Sequence, residues 1–278
     1  MKNIKEINLE KIKKSEIDIL KYIEKICKEN NIKYSLMDGS LLGAVRHNGF
    51  IPWDDDIDIM LLREDYDKLK RVILNDSNNS RYLYMSNDLY DDYLYPYAKL
   101  IDTETSAKET GIKAPKNYGI FVDIFPIDKI PIDSREKNRF LKKVKILYKL
   151  YKFRIFDKQI SNNKIKLIIK KLIAIPLKLV SVKKIVNKLE KISIKYNDEN
   201  IDNYAIVCQY NTVNKKITYP KNFFENVHYT KFENIQALII DKYDEYLKNI
   251  FENYMMLPSI ENRKSNHNWD YIKFNNER

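Results

Sequence analysis

Four aspartates, Asp54, Asp55, Asp56 and Asp58, stand within five consecutive positions with no cation between them. Carboxylates this close repel one another, and keeping them ionised together is costly unless a cation binds among them. The residues that follow decide how they are displayed. Ile57, Ile59 and Leu61 recur at the two-residue period of a strand, so they face a core while Asp56 and Asp58 point together to the opposite side. Two carboxylates on adjacent same-side positions can hold Mg²⁺ or Mn²⁺, as one ion or a pair, and leave coordination positions for phosphate oxygens. An isolated run of aspartates is ordinarily a solvated turn. Trp53 before this run and the apolar alternation after it argue for a built site instead.

Upstream, Gly39-Ser40 reads as a strand-to-helix turn. Free N–H groups at a helix start favour an anion, and glycine lets the backbone approach a phosphate. A third carboxylate would complete a two-ion arrangement. Asp123 is the best candidate, because it interrupts the strand formers of GIFVDIFPID, where a charge has no packing reason to be. Asp128, after Pro126, reads as a loop residue.

Helical spacing runs from about Leu9 to Glu29, and again from Arg63 to Leu74. Strands are expected at Tyr34–Met37, Ile57–Leu62, Tyr95–Ile101 and Ile120–Phe125, with Pro126 and Pro131 bracketing the exit from the last. Further helices are expected along Phe140, Val144, Leu147 and Tyr151, over Ile165–Ile175, over Val182–Tyr196 and over Phe232–Phe251. From Arg135 to Tyr196 there are 20 lysines and arginines against 3 acids, a net +17 in a chain of net +11. The basic character therefore belongs to one segment, and the rest is mildly acidic. The expected organisation is a catalytic core over 1–134, a basic helical insert over 135–196, and a C-terminal part over 197–278 that completes the core.

Mean hydropathy is −0.53, and no stretch reaches the ~18 apolar residues of a membrane span. The N-terminus lacks the apolar run of a secretory signal, so a cytoplasmic location is expected. Cys27 and Cys208 are the only cysteines and read as reduced, semi-buried residues.

The motifs DGSLLGAVRHNGFIPWDDDIDI, YAKLID and GIFVDIFPID, with the closing run KFENIQALIIDKYDEYLKNIFENYMMLPSIENRKSNH, resemble the LicD/fukutin family. The resemblance covers about Asn31 to Asp128 and Phe223 to His267. It implies an α/β (α+β) fold, a nucleotidyltransferase-like mixed sheet flanked by helices. It also implies transfer of a phosphorylated alcohol from a CDP-activated donor to a glycan or teichoic-acid-like acceptor, with phosphocholine from CDP-choline the best-known donor group.

Carried onto this chain, the resemblance implies that Asp56, Asp58 and Asp123 hold the Mg²⁺ or Mn²⁺. Asp38, Gly39 and Ser40 would lie at the donor phosphate, Arg46 and Lys99 would serve as phosphate partners or as structural ion pairs with the acidic cluster, and Arg263 and His267 would complete the donor pocket. Trp53 offers an aromatic face to a quaternary ammonium. Phosphoethanolamine, glycerol phosphate or ribitol phosphate are the alternative groups. A metal-dependent glycosyltransferase and a non-catalytic membrane-surface scaffold are the rival readings. Lysines around apolar stripes make the basic insert a candidate for the anionic inner face of a membrane, beside a lipid-linked acceptor. No nucleic-acid motif is present.

Overall fold

A computed structural model describes residues 9–110, 115–155, 180–209, 213, 215, 217–265, 267 and 269–275. The elements in chain order are α1 (Leu9–Glu29), β1 (Ser35–Leu36), α2 (Asp38–His47), β2 (Asp58–Leu62), α3 (Arg63–Asn75), β3 (Tyr82–Met85), β4 (Ala98–Asp102), β5 (Thr105–Glu109) and β6 (Phe121–Lys129). Then follow α4 (Ser134–Ile155), α5 (Val182–Ser193), β7 (Tyr204–Ala205), α6 (Asn222–Glu225), β8 (Val227–Phe232), β9 (Ile235–Ile240), α7 (Tyr243–Phe251) and β10 (Trp269–Phe274). The main sheet runs β1-β2-β6-β4-β3, and β7 adds to the far end of β6. Only the β2–β6 pair is parallel; the others are antiparallel. The fold is thus α/β with a mixed sheet flanked by helices, as expected.

α1 lays Ile12, Ile19, Leu20, Ile23 and Ile26 onto the sheet, and Tyr66, Leu69 and Ile73 of α3 join them in one core. A second apolar cluster lies between α4 and α5, where Phe140, Val144, Tyr148 and Tyr151 meet Ile185, Val186 and Leu189. The stripe read in the basic segment is therefore turned inward, and an apolar insertion of that stripe into a bilayer is not what α4 offers. Its exposed face carries Arg139, Lys142, Lys143 and Lys149. The helix expected over Ile165–Ile175 lies outside the described residues. Among the described residues no helix is long and apolar enough to cross a membrane.

Three expectations differ from the structure. The helix read over Phe232–Phe251 is a hairpin followed by a helix: β8 and β9 pair with Phe232 opposite Ile235, and only Tyr243–Phe251 is helical. Short apolar runs fit either period, and the two-residue turn with Glu233 in the left-handed region (φ 54°) decides for the hairpin. The strand read from Tyr95 begins after Pro96, at Ala98. Finally, β6 does not stop at Pro126. The amide of Asp123 donates to Ile57 O, so the proline nitrogen, three positions on, faces the other edge. There it falls between the stretches paired with β4 and with β7, and no ladder bond is lost.

Asp128 is accordingly a strand residue, not a loop residue, and is fully buried. Arg63 grips it with two hydrogen bonds, Nε to Oδ1 at 2.7 Å and Nη2 to Oδ2 at 2.9 Å, and reaches Glu190 of α5 at 3.0 Å. Removing one partner of such a pair leaves a buried charge uncompensated. Arg63→Leu is expected to lower unfolding free energy by about 3 kcal/mol or more in urea melts; a change under about 1 kcal/mol would show that the pair contributes no more than a surface ion pair.

Candidate active site

Register assembles the centre of the site. In the parallel β2–β6 pair, Asp58 lies opposite Asp123; in the antiparallel β4–β6 pair, Lys99 lies opposite Asp123. Directly opposed residues point to the same face, so the three form a row across three strands. Lys99 Nζ lies 2.5 Å from Asp123 Oδ1. The ammonium is buried, and the rings of Phe121 (3.3 Å to the centroid), Tyr95 (4.8 Å) and Tyr97 (5.5 Å) surround it. Of the two roles open to Lys99, phosphate partner or ion pair with the acidic cluster, the contact present is the ion pair: it neutralises Asp123 from within an aromatic enclosure.

Asp54, Asp55 and Asp56 form the loop leading into β2, and each brings one carboxylate oxygen within 4.8 Å of the other two. Beside them α2 begins. The Asp58 amide donates to Ser40 Oγ at 2.8 Å, which ties the helix start to the acid strand. Gly39 lets α2 approach the acid loop closely: a Cβ there would lie 2.9 Å from Asp54 Oδ2 and would displace that carboxylate. Asp38 adopts a left-handed backbone (φ 42°) and accepts hydrogen bonds from Tyr246 at 2.7 Å and from Gln209.

The C-terminal segment closes the other side. Trp269 Nε1 donates to Asp55 Oδ2 at 2.8 Å, Ser265 Oγ donates to Asp55 Oδ1, and His267 Nε2 is 3.3 Å from Asp56 Oδ2. The imidazole is sandwiched near Trp269 (5.5 Å, stacked) and its Nδ1 is 4.0 Å from Glu109 Oε2.

The carboxyls feel one another. Burial and then the Asp56, Asp123 and Asp38 charges push Asp58 well above the usual carboxylate range. Burial and Asp56 raise Asp54 to about 8. Burial raises Asp123 to about 6, with Lys99 opposing. Burial works against ionisation of Asp56 too, but His267 outweighs it and holds that group below its ordinary value. For His267 burial favours the neutral form, yet Asp56, Glu109 and Asp55 lift it to about 9. The set is all oxygen and crowded, and, Asp56 apart, its acids are raised by burial and by their neighbours' charge, which a hard divalent cation relieves. The residues fit such an ion.

Asp38, Gly39, Ser40, Asp56, Asp58, Lys99, Asp123 and His267 thus converge. Arg46 does not join them: its Nη1 donates to Tyr254 O at 2.6 Å and to Met256 O at 3.4 Å, clamping the segment after α7. Trp53 and Arg263 form a separate pair, the guanidinium 5.5 Å over the indole.

Sequence reading missed Glu16, Glu109, Ser265 and Trp269. Glu16 is 2% exposed on α1, and its Oε2 has no hydrogen-bond partner among the described residues. Burial, then the four loop and strand aspartates, push it well above the usual range. Its signal was available: Glu16 falls between Ile12 and Leu20 on the apolar face of α1. Glu109, Ser265 and Trp269 carry no such local signal.

A family profile described as LicD/FKTN/FKRP, nucleotidyltransferase domain, matches residues 31–161. The lipopolysaccharide cholinephosphotransferase LicD of Haemophilus influenzae is 30% identical over 255 residues, 90% of this chain and 92% of the relative. The uncharacterized protein RP689 of Rickettsia prowazekii is 46% identical over 55 residues, 20% of this chain and 21% of its own. The ribitol 5-phosphate transferase FKRP of Homo sapiens is 42% identical over 45 residues, 16% of this chain and 9% of its own. With near-complete coverage of one relative and the motif aspartates gathered at one place in the fold, this chain belongs to the LicD/FKTN/FKRP family.

Proposed function

We propose that the chain is a metal-dependent phosphotransferase that moves a phosphorylated alcohol, with phosphocholine from CDP-choline the leading donor, onto a cell-surface glycan or teichoic-acid-like acceptor. The observation that carries this reading is the pairing of Asp58 with Asp123 on adjacent parallel strands, with Asp56 beside them in the loop that enters β2. The end-to-end likeness to a cholinephosphotransferase supports the choline donor. The shorter likeness to a ribitol 5-phosphate transferase keeps ribitol phosphate in the donor panel.

In this reading Asp56 and Asp58 would hold Mg²⁺ or Mn²⁺, which would supply neutralisation of the charge on the donor phosphates. The acceptor hydroxyl attacks the phosphorus that carries the alcohol. A new oxygen–phosphorus bond forms, the bond from that phosphorus to the CMP oxygen breaks, and CMP leaves. Asp123 takes the hydroxyl proton: Lys99 holds its Oδ1, which leaves Oδ2 for that proton. His267, carrying its proton at neutral pH, keeps Asp56 ionised. Trp53 supplies an aromatic face for a quaternary ammonium. The protein works at the cytoplasmic face of the membrane, where the exposed cations of α4 and α5 meet an anionic surface or a charged acceptor.

The donor test is CMP release from CDP-choline, CDP-ethanolamine, CDP-glycerol and CDP-ribitol with Mg²⁺ or Mn²⁺. Asp56→Asn and Asp58→Asn are expected to lose turnover by about a thousandfold or more, and Asp123→Asn by about a hundredfold, with unchanged melting temperatures for the folded proteins. Near-normal CMP release by either of the first two would sink the metal assignment.

The surface test is co-sedimentation with anionic vesicles. Binding is expected at low salt, lost as salt screens it, and weakened by about 1 kcal/mol per substitution when Lys142, Lys143 and Lys149 become Gln. No sedimentation with anionic vesicles at low salt would remove the membrane from the reading.

A further inference from the structure

β10 is set apart from the main sheet. It pairs with β5 alone, from Trp269 opposite Glu109 to Phe274 opposite Thr105. More than half of the chain separates it from the acid loop, yet three of its side chains, or those just before it, end there. Ser265 Oγ and Trp269 Nε1 take one oxygen each of the Asp55 carboxylate, and His267 faces Asp56. Ser265 is itself held, since its Oγ accepts from the His267 amide at 2.9 Å. Behind His267, Glu109 of β5 accepts from Tyr118 at 2.5 Å.

Asp55 therefore differs from its neighbours. It is buried at 4% exposure, and both of its oxygens already accept a donor brought from the C-terminal segment. Asp54 and Asp56 flank it in the chain, so a carboxylate pinned at 55 fixes the backbone from which both project. Outer partners of this kind, which orient ligands without touching the ion, commonly carry a large share of metal affinity.

We propose that Ser265 and Trp269 are positioning residues for the divalent-cation site, acting through Asp55, which anchors the acid loop and is not itself a ligand. The proposal rests on the reading that the aspartates hold a cation. The competing arrangement is that Asp55 is a ligand alongside Asp54 and Asp56, whose oxygens lie within the same 4.8 Å. Chemistry separates the two. Asparagine at 55 keeps an oxygen for the indole N–H and offers an amide N–H to the serine oxygen, so it preserves the anchor while removing the charge a ligand needs.

The test is Mn²⁺ binding to the full-length protein without donor, followed by electron paramagnetic resonance of the free ion, with melting temperatures measured alongside. Trp269→Phe, which keeps a ring against His267 but loses the N–H, is expected to bind Mn²⁺ about tenfold more weakly. Ser265→Ala, which removes only a hydroxyl and carries the test if Trp269→Phe folds poorly, is expected to lose about threefold. Asp55→Asn is expected to stay within about threefold of wild type, against a loss of about thirtyfold or more for Asp56→Asn. Wild-type affinity in both Trp269→Phe and Ser265→Ala would overturn the proposal, as would an Asp55→Asn loss equal to that of Asp56→Asn. In either case binding by wild type and its loss in Asp56→Asn would leave the metal reading standing. A wild-type protein that binds no Mn²⁺ would overturn both.

Discussion

Mutual repulsion among buried carboxylates is the constraint around which the rest of this structure is arranged. Glu16, Asp54, Asp55, Asp56, Asp58 and Asp123 approach one place from α1, the loop before β2, β2 itself and β6. Lys13 faces them from α1, and two further cations in the described residues pair with them directly. Lys99 sits beside Asp123, walled by aromatic rings that exclude water and favour its charge. His267 sits beside Asp56. These two offset only part of the negative charge, and the raised values of Asp54 and Asp58 express the remainder. A fold that tolerates such strain at one place, while pairing the buried acids Asp128 and Asp102 closely with Arg63 and Arg81, keeps it there for chemistry.

The sheet explains why the site sits where it does. Among the described strands β2 and β6 are the one parallel pair, and parallel neighbours bring the starts of two distant strands side by side. Asp58 opens β2 and Asp123 lies near the start of β6, so both acids emerge at the same edge. α2 packs its first turn against that edge through Ser40, and the C-terminal strand on β5 closes it. The basic helices stand apart: their apolar residues pack on each other, and their link to the sheet includes the Arg63–Glu190 contact.

Much of the site was legible because its signals were local. The aspartate run with its alternating isoleucines named Asp56 and Asp58, and a charge in a strand-forming run named Asp123. Gly39 was legible as a close-approach glycine, although the group it admits here is the Asp54 carboxylate. What failed depended on distant partners. Lys99 could not be assigned between phosphate partner and ion pair because no local pattern reveals that Tyr95, Tyr97 and Phe121 enclose it beside Asp123. Arg46 lies in the motif beside the acids, but carbonyls more than 200 residues away decide its direction. Ser265 and Trp269 gain their meaning only from a long-range pairing, and the β8–β9 hairpin shares its apolar spacing with a helix until the turn at Glu233 is seen.

The central claim is that the acid loop and the start of β2 form one cation site, and anomalous diffraction from crystals grown with Mn²⁺ and CMP tests it most directly. The account predicts an anomalous peak in ligating contact with Asp56 and Asp58, with Asp55 still held by Trp269 and Ser265. A map in which Asp56 remains paired with His267, and Mn²⁺ is absent from these carboxylates or bound elsewhere, would contradict it.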